Sequence, residues 1–346
     1  MGWNSMRPLL ICFWTVACAG PAMALGPDTW LFPMALKPGD TIALVAPSAP
    51  ATGPEFLVYV KLMESKGYRV VSKPGLVGRK ENYLGGSDAE RAAEINDYLR
   101  DPTVRMIMPV RGGFGMSRIL DRIDYSALRK DPKVIAGYSD ITALHLAVAR
   151  HAQVVTFHSP MAMRDLWREA EPAYAFPAKS FQRAVFAGQY VPGERGYVVE
   201  IPKGHKPVKL VGGKVTGRLL GGNLSLVVTL MGTPHAIQPR GSILFLEDVS
   251  EPAYRIDRYL SQLRLAGVLD QVAGVVLGSF TTRDEAEETD TTRVLHDYFS
   301  KLKVPVLMRY PVGHTPQNAT LPHGALVELD ADTGTLRILQ NPVRVH

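Results

Sequence analysis

Val134-Ile-Ala-Gly-Tyr-Ser-Asp-Ile-Thr-Ala-Leu-His-Leu-Ala-Val-Ala149 is the stretch on which the reading of this chain turns. Val134–Gly137 is a short apolar run of the kind that forms a buried strand. From Ile141 the period changes, and Ile141, Leu144 and Val148 fall on one face of a helix. A strand therefore passes into a helix across only Tyr138-Ser139-Asp140. Working backwards, Met106–Val110 predicts another strand, which runs into Arg111-Gly-Gly-Phe-Gly115. Ser87-Asp-Ala-Glu90 has the form of a capping box and opens a helix through Leu99. Tyr68–Val71 reads as a strand, residues 54–66 as a helix stopped by Gly67, and Asp40–Ala46 as a strand stopped by Pro47. Alternating strands and helices predict a parallel sheet covered by helices, an α/β fold.

Downstream the texture changes. Residues 161–204, mixed and rich in Pro, Gly, Arg and aromatics, read as helix plus connecting segment. Beyond 205 come shorter strands and Gly turns. Ser242–Leu246 and Val272–Leu277 are strand-like, and Ile256, Leu260 and Leu263 between them have helical spacing. Ala325–Leu329, a turn over 330–334 and Leu336–Leu339 predict a hairpin. A length of 346 residues suggests two domains. The expected division is a leader over 1–24, an N-terminal domain over 25–165, a connector over 166–204 and a C-terminal domain over 205–346.

The leader is read from three features. Arg7 is the only charge in the first 24 residues, an apolar run follows from Pro8 to Ala17, and Ala22-Met23-Ala24 has the A-x-A form of a cleavage site. This is the layout of a secretory signal peptide, and the run is too short to span a bilayer. The mature chain is expected to begin near Leu25, to be soluble and periplasmic, and to carry a net charge of +5, because the leader removes one Arg and no acid from the +6 of the whole chain. A lipoprotein start at Cys18 ranks second. Both cysteines, Cys12 and Cys18, lie in the leader. Disulfides, thiolate zinc sites and a Cys nucleophile are thereby excluded from the mature chain. The basic residues are scattered, which argues for a solvated surface and against nucleic-acid binding. No later segment can span a membrane, and no His spacing suggests a metal.

Four places could carry chemistry. Ser139 sits where a strand turns into a helix, so the N–H groups of the new helix face the same space as its hydroxyl and could stabilise an oxyanion. The pattern matches half of a nucleophile elbow, since Ile141 replaces the second Gly, and Ser is also a good N-cap. Arg111-Gly112-Gly113-Phe-Gly115 ends a strand at the edge where α/β sheets bind ligands, and paired Gly allow close backbone approach. The same pair also suits a plain tight turn. Leu244-Phe-Leu-Glu247-Asp248-Val-Ser-Glu251 ends a strand in acids, any of which could orient a His. In Pro311-Val-Gly313-His314-Thr315 a loop His could reach a neighbouring site.

Together these motifs have an order that resembles the L,D-carboxypeptidases of peptidase family S66. Tyr83-Leu-Gly-Gly-Ser-Asp88 with Arg91, Leu246-Glu-Asp248 with Tyr254-Arg-Ile-Asp257, Gly221-Gly-Asn-Leu224 and Gly232-Thr-Pro234 add to the match, which covers about residues 36–340. Ser159 departs from it, because the family usually carries Gly there. The resemblance implies a Ser–Glu–His triad, placed by motif on Ser139, Glu247 and His314. It also implies an N-terminal flavodoxin-like sheet with helices on both faces, a C-terminal β-rich α/β domain and often a homodimer. The activity it implies is serine carboxypeptidase hydrolysis of the L,D bond that releases D-alanine from murein tetrapeptides, without a cofactor. Backbone N–H groups at Gly113 and Asp140 are the expected oxyanion hole. Arg111, with Gly112, is the expected substrate-binding position. The competing expectations are a periplasmic ligand-binding protein without turnover and a serine hydrolase acting on another acyl substrate.

Overall fold

The computed structural model describes residues 30–191 and 193–345. The leader and its cleavage site lie outside the described residues. In the first half, strands β1 (Thr41–Val45), β2 (Arg69–Ser72), β3 (Val104–Pro109), β4 (Val134–Gly137) and β5 (Thr156–His158) alternate with helices α1 (Glu55–Ser65), α2 (Asp88–Arg100), α3 (Tyr125–Lys130) and α4 (Thr142–His151). α5 (Pro172–Val185) follows. The five strands are parallel in the order β2-β1-β3-β4-β5, which is flavodoxin-like. β1 shows why its sequence is apolar throughout. Ala43 and Val45 pack into the core shared with α2 and α4, whereas Ile42 and Leu44 pack with α1 and α5 on the opposite face. The capping box is complete: the Ser87 hydroxyl accepts from the Glu90 N–H, and the Glu90 carboxylate accepts from the Ser87 N–H.

The second half builds a mixed sheet. β6 (Tyr197–Val198), β7 (Val208–Val211), β8 (Lys214–Asn223), α6 (Leu224–Thr229), β9 (Ser242–Val249), α7 (Ala253–Leu265), β10 (Gly274–Thr281), α8 (Glu285–Phe299) and β11 (Val306–Met308) come first. β12 (Leu321–His323), β13 (Leu326–Asp330) and β14 (Thr335–Ile338) complete the chain. The sheet order is β6-β14-β13-β8-β9-β10-β11-β7. Its centre, β8 to β11, is parallel, and antiparallel strands flank it, including the expected β13–β14 hairpin. Ile256, Leu260 and Leu263 are the buried residues of α7, as their spacing requires.

Two segments cross the expected boundaries. α5, in the expected connector, packs Ala178, Phe181, Ala184 and Val185 against the first sheet. β12 leaves the second half altogether and pairs antiparallel with β5, closing the edge of the first sheet. The halves also share one continuous core, in which α4 residues meet α6, α7 and the inner face of β9. The consequence is that the carboxyl ends of β4 and β9 face one another.

Candidate active site

Ser139 stands just beyond the carboxyl end of β4 with φ +63°, and a short 3-10 turn, Ser139–Ile141, leads into α4. A non-Gly residue held in the left-handed region costs on the order of 1–3 kcal/mol, and such strain persists only where the surroundings fix it. Here they do. Gly137, two residues earlier, donates its N–H to Ser159 Oγ at 3.1 Å. Its carbonyl accepts from the Ser159 N–H at 3.1 Å and from His145 Nε2 at 2.8 Å. Ser159, the departure from the family pattern, thus lies directly behind the turn. Burial pushes the His145 pKa down to about 4, so at neutral pH it is an uncharged donor to that carbonyl.

Asp140 faces the other way. Its Oδ2 accepts from Ser48 Oγ and from the Met116 N–H at 2.8 Å, tying the turn to two neighbouring loops. Burial raises its pKa to about 6 against the pull of those two hydrogen bonds. The backbone of Asp140 faces Gly112. A Cβ built on Gly112 would stand 3.1 Å from Ser139 Oγ and 3.6 Å from the Asp140 N, so only Gly lets this loop lie so close to the serine. Gly113 (φ +125°) follows, packed on Ala49. Arg111 is exposed and makes no ion pair among the described residues.

Glu247 comes from the carboxyl end of β9, opposite Asn223 of β8. That end of β8 seats the start of α4: the Asn223 N–H donates to Thr142 Oγ1 at 3.0 Å. Glu247 is fully buried, and its Oε2 accepts from His314 Nδ1 at 2.6 Å. Strand alternation explains why Glu247 and not its neighbours meets the histidine. Asp248 points to Asn223 and the Ser225 N–H, and Glu251 pairs with Arg255. The loop carrying His314 is fixed by Gly313 N–H donation to Asn318 Oδ1 at 3.0 Å. Gly313 has φ +122°, and a Cβ there would stand 2.9 Å from Glu247 Oε2 and 2.4 Å from Ser279 Oγ.

The two halves meet through Tyr138, whose ring lies 4.8 Å from that of His314. Nothing in the sequence marks Tyr138, a lone aromatic beside the serine. Burial alone would favour the neutral form of His314, but the charge and hydrogen bond of Glu247, helped by Asp248, outweigh it and hold the pKa above its ordinary value. The charge of Arg164 opposes this protonation, so a second cation stands within electrostatic reach of the histidine. It too carried no motif. Arg91, fully buried, donates to the carbonyls of Pro47, Gly86 and Gly115 and clamps the loops around the site. Beside the His314 loop, a cavity of about 700 Å³ opens at the ends of β10 and β11, lined by Gly278, Ser279, Arg309 and Thr315 among others. Among the described residues, no group of three or more His, Cys, Asp or Glu is arranged to hold a metal.

The LD-carboxypeptidase N-terminal domain profile matches residues 42–159, and the LD-carboxypeptidase C-terminal domain profile matches residues 216–329. The chain belongs to the LD-carboxypeptidase family, peptidase family S66. A Bacillus subtilis protein named as a probable murein peptide carboxypeptidase is 35% identical over 297 residues, covering 85% of this chain and 89% of that protein. The murein tetrapeptide carboxypeptidase of Pseudomonas aeruginosa is 30% identical over 263 residues, covering 74% and 82%. Among solved structures, MccF in complex with glutamyl sulfamoyl guanosine superposes with a TM-score of 0.83 at 27% identity, covering 91% of this chain and all of that one. The muramoyltetrapeptide carboxypeptidase of Oxalobacter formigenes gives 0.72 at 29%, covering 86% and 97%. S66 membership makes the chain a carboxypeptidase-type hydrolase.

Proposed function

We propose that this LD-carboxypeptidase is a serine enzyme that releases the terminal D-alanine from murein tetrapeptides. The observation that carries the reading is the Glu247–His314 hydrogen bond together with a serine held at positive φ next to Tyr138, whose ring lies 4.8 Å from that of His314. Ser139 Oγ attacks the scissile carbonyl while His314 Nε2 takes its proton, and Glu247 holds the ring with Nδ1 protonated. Backbone N–H groups of Gly113 and Asp140 stabilise the developing oxyanion, each worth roughly 3–4 kcal/mol by the usual measure of such donors. Collapse passes the proton from His314 to the departing amine, and water then hydrolyses the acyl-enzyme by the reverse sequence.

This chemistry orients the substrate. The amine that leaves must lie at His314, so the free carboxylate of the departing D-alanine falls beside Arg164, the cation near that histidine. Arg111, the expected substrate-binding position, is exposed, adjoins Gly112 in the chain and suits the anionic acyl portion.

The test is mass spectrometry of three tetrapeptides: natural, C-terminally amidated and L-alanine-terminated. The natural peptide is expected to lose one D-alanine, with the other two reacting far more slowly. An amide leaves a cation unpaired, and a changed stereocentre displaces the carbonyl. Equal cleavage of all three overturns the reading. So does inertness toward all three combined with cleavage of glutamyl sulfamoyl guanosine.

We further propose export: Arg7, the apolar run and Ala22-Met23-Ala24 direct the chain to the periplasm with cleavage before Leu25. N-terminal sequencing of the exported protein checks this, and a lipidated chain beginning at Cys18 would replace it.

A further inference from the structure

A second cavity, of about 470 Å³, opens between the two halves of the chain. That is within the roughly 300–1,000 Å³ of ordinary small-molecule sites. It lies at the opposite ends of the elements that carry Ser139 and Glu247. Arg150 lines it from the last turn of α4, eight residues and about 12 Å along the helix from Thr142. Ser242, the first residue of β9, lines it too, whereas Glu247 is near the carboxyl end of that strand. Leu146, Leu220 and Ile237 give it an apolar lining continuous with the shared core. One wall is fixed by a close fit. Trp30 lies against Gly324, where a Cβ would stand 1.9 Å from the ring, so a side chain at 324 would displace the indole. The Arg218 guanidinium lies 5.0 Å from the centre of the same ring and donates to the Gly324 carbonyl at 3.0 Å.

We propose that this cavity is a binding site for a phosphate monoester with an apolar body, separate from the carboxypeptidase site and independent of its chemistry. The charge of the lining selects the ligand. Arg150, Arg218 and Arg240 reach it from α4, β8 and the segment before β9, and no Asp or Glu lines it among the described residues. Cations converging on a concave, partly apolar surface focus a positive potential there. Arg218 is held by Trp30 and Gly324, so its charge is fixed in the wall. Arg150 and Arg240 are exposed and make no ion pair among the described residues. One carboxylate matches one guanidinium fork. A phosphate monoester, close to dianionic above its second pKa of about 6, offers three oxygens and suits several. Leu146, Leu220 and Ile237 favour an apolar group on the ester, because covering them removes apolar surface from water. Arg150 and Arg240 belong to different halves, so a ligand held by both touches both.

The experiment is calorimetric titration of the chain beginning at Leu25 with phenyl phosphate, inorganic phosphate and benzoate at pH 7.5 and low salt. Phenyl phosphate is expected to bind tenfold or more tightly than either of the others. An Arg150→Ala/Arg240→Ala double variant, checked for folding by circular dichroism, is expected to weaken phenyl phosphate by tenfold or more. Arg150→Lys/Arg240→Lys, which keeps both charges and loses the forks, is expected to fall between the two. Arg111→Ala, in the Gly-rich loop, is expected to keep wild-type affinity. Equal affinity for inorganic phosphate means an adventitious ion only and overturns the proposal, and benzoate binding as tightly as phenyl phosphate overturns it as well. No binding of phenyl phosphate overturns it too, including the case in which residues before Trp30 already fill the cavity. Wild-type affinity in both double variants, or loss of affinity in Arg111→Ala, puts the ligand elsewhere and overturns it. None of these outcomes bears on cleavage of the tetrapeptide, so the carboxypeptidase reading stands or falls separately.

Discussion

Ser139→Ala is expected to lower kcat by on the order of 10⁴-fold or more, with KM and thermal stability close to wild type. The hydroxyl makes no hydrogen bond to a described residue, so its loss orphans no buried partner. Alanine tolerates φ +63° no better than serine, so the backbone strain at 139 is unchanged. What disappears is the proposed nucleophile, and groups of this kind act as a unit, so one deletion removes most of what the set supplies. Steady-state kinetics on the natural tetrapeptide, with circular dichroism to confirm folding, make the measurement. Turnover within tenfold of wild type would remove Ser139 from the role assigned to it.

Glu247→Gln is the next largest effect, a fall in kcat of roughly 10³–10⁴-fold by comparison with orienting acids elsewhere. The amide keeps the size of the side chain, and Gly313 stays seated against it, but the charge facing His314 is lost. The pH dependence gives a second reading of the same change. In the wild type His314 has a raised pKa and must be neutral to act as a base. The acid limb of kcat/KM therefore lies above the ordinary His value of about 6.5. Without the carboxylate, burial dominates and the limb moves to lower pH. The stability linkage has the matching sign. A raised folded-state pKa means the pair stabilises the fold fully below about pH 6.5, and that contribution fades as pH rises through the raised value. Residual activity whose acid limb stays where the wild type has it would show that Glu247 does not govern His314.

The parts of the fold that the sequence made legible are those in which local pattern and tertiary packing agree. β1 is apolar because both of its faces are covered, and Ile256, Leu260 and Leu263 of α7 are the residues that face the sheet. β5 and β12 were not legible. Thr156–His158 and Leu321–His323 are three residues each, with histidine in both and a proline in the second. No apolar run marks them. The proline is tolerated because β12 is the last strand of its sheet and pairs on one side only.

The site divides in the same way. Gly112, Ser139 and Gly313 showed themselves as turn residues, and the structure gives each a close contact or a positive φ that requires its type. The choice among Glu247, Asp248 and Glu251 depends on which way each side chain leaves β9, which a single sequence does not display. Tyr138, Arg164 and Ser159 have no spacing signal at all, because their partners come from distant segments.

The pairing of β12 with β5 bears on how the molecule comes into being. Residue 321 lies against residue 158, a contact of very high sequence separation, and such contacts are slow to form because a long loop must close before anything rewards it. Until then Thr156–His158 is an open edge, a template for unwanted pairing with other chains. His158 on that edge also packs against Tyr138, the residue next to the serine, with ring centroids 6.0 Å apart. A nascent or clipped chain ending after β11 therefore has Ser139, Glu247 and the Gly-rich loop but neither His314 nor β12, the strand that covers the edge carrying His158. If the proposed triad carries the hydrolysis, assembly order itself acts as a safeguard, because a chain stopped there lacks the proposed base.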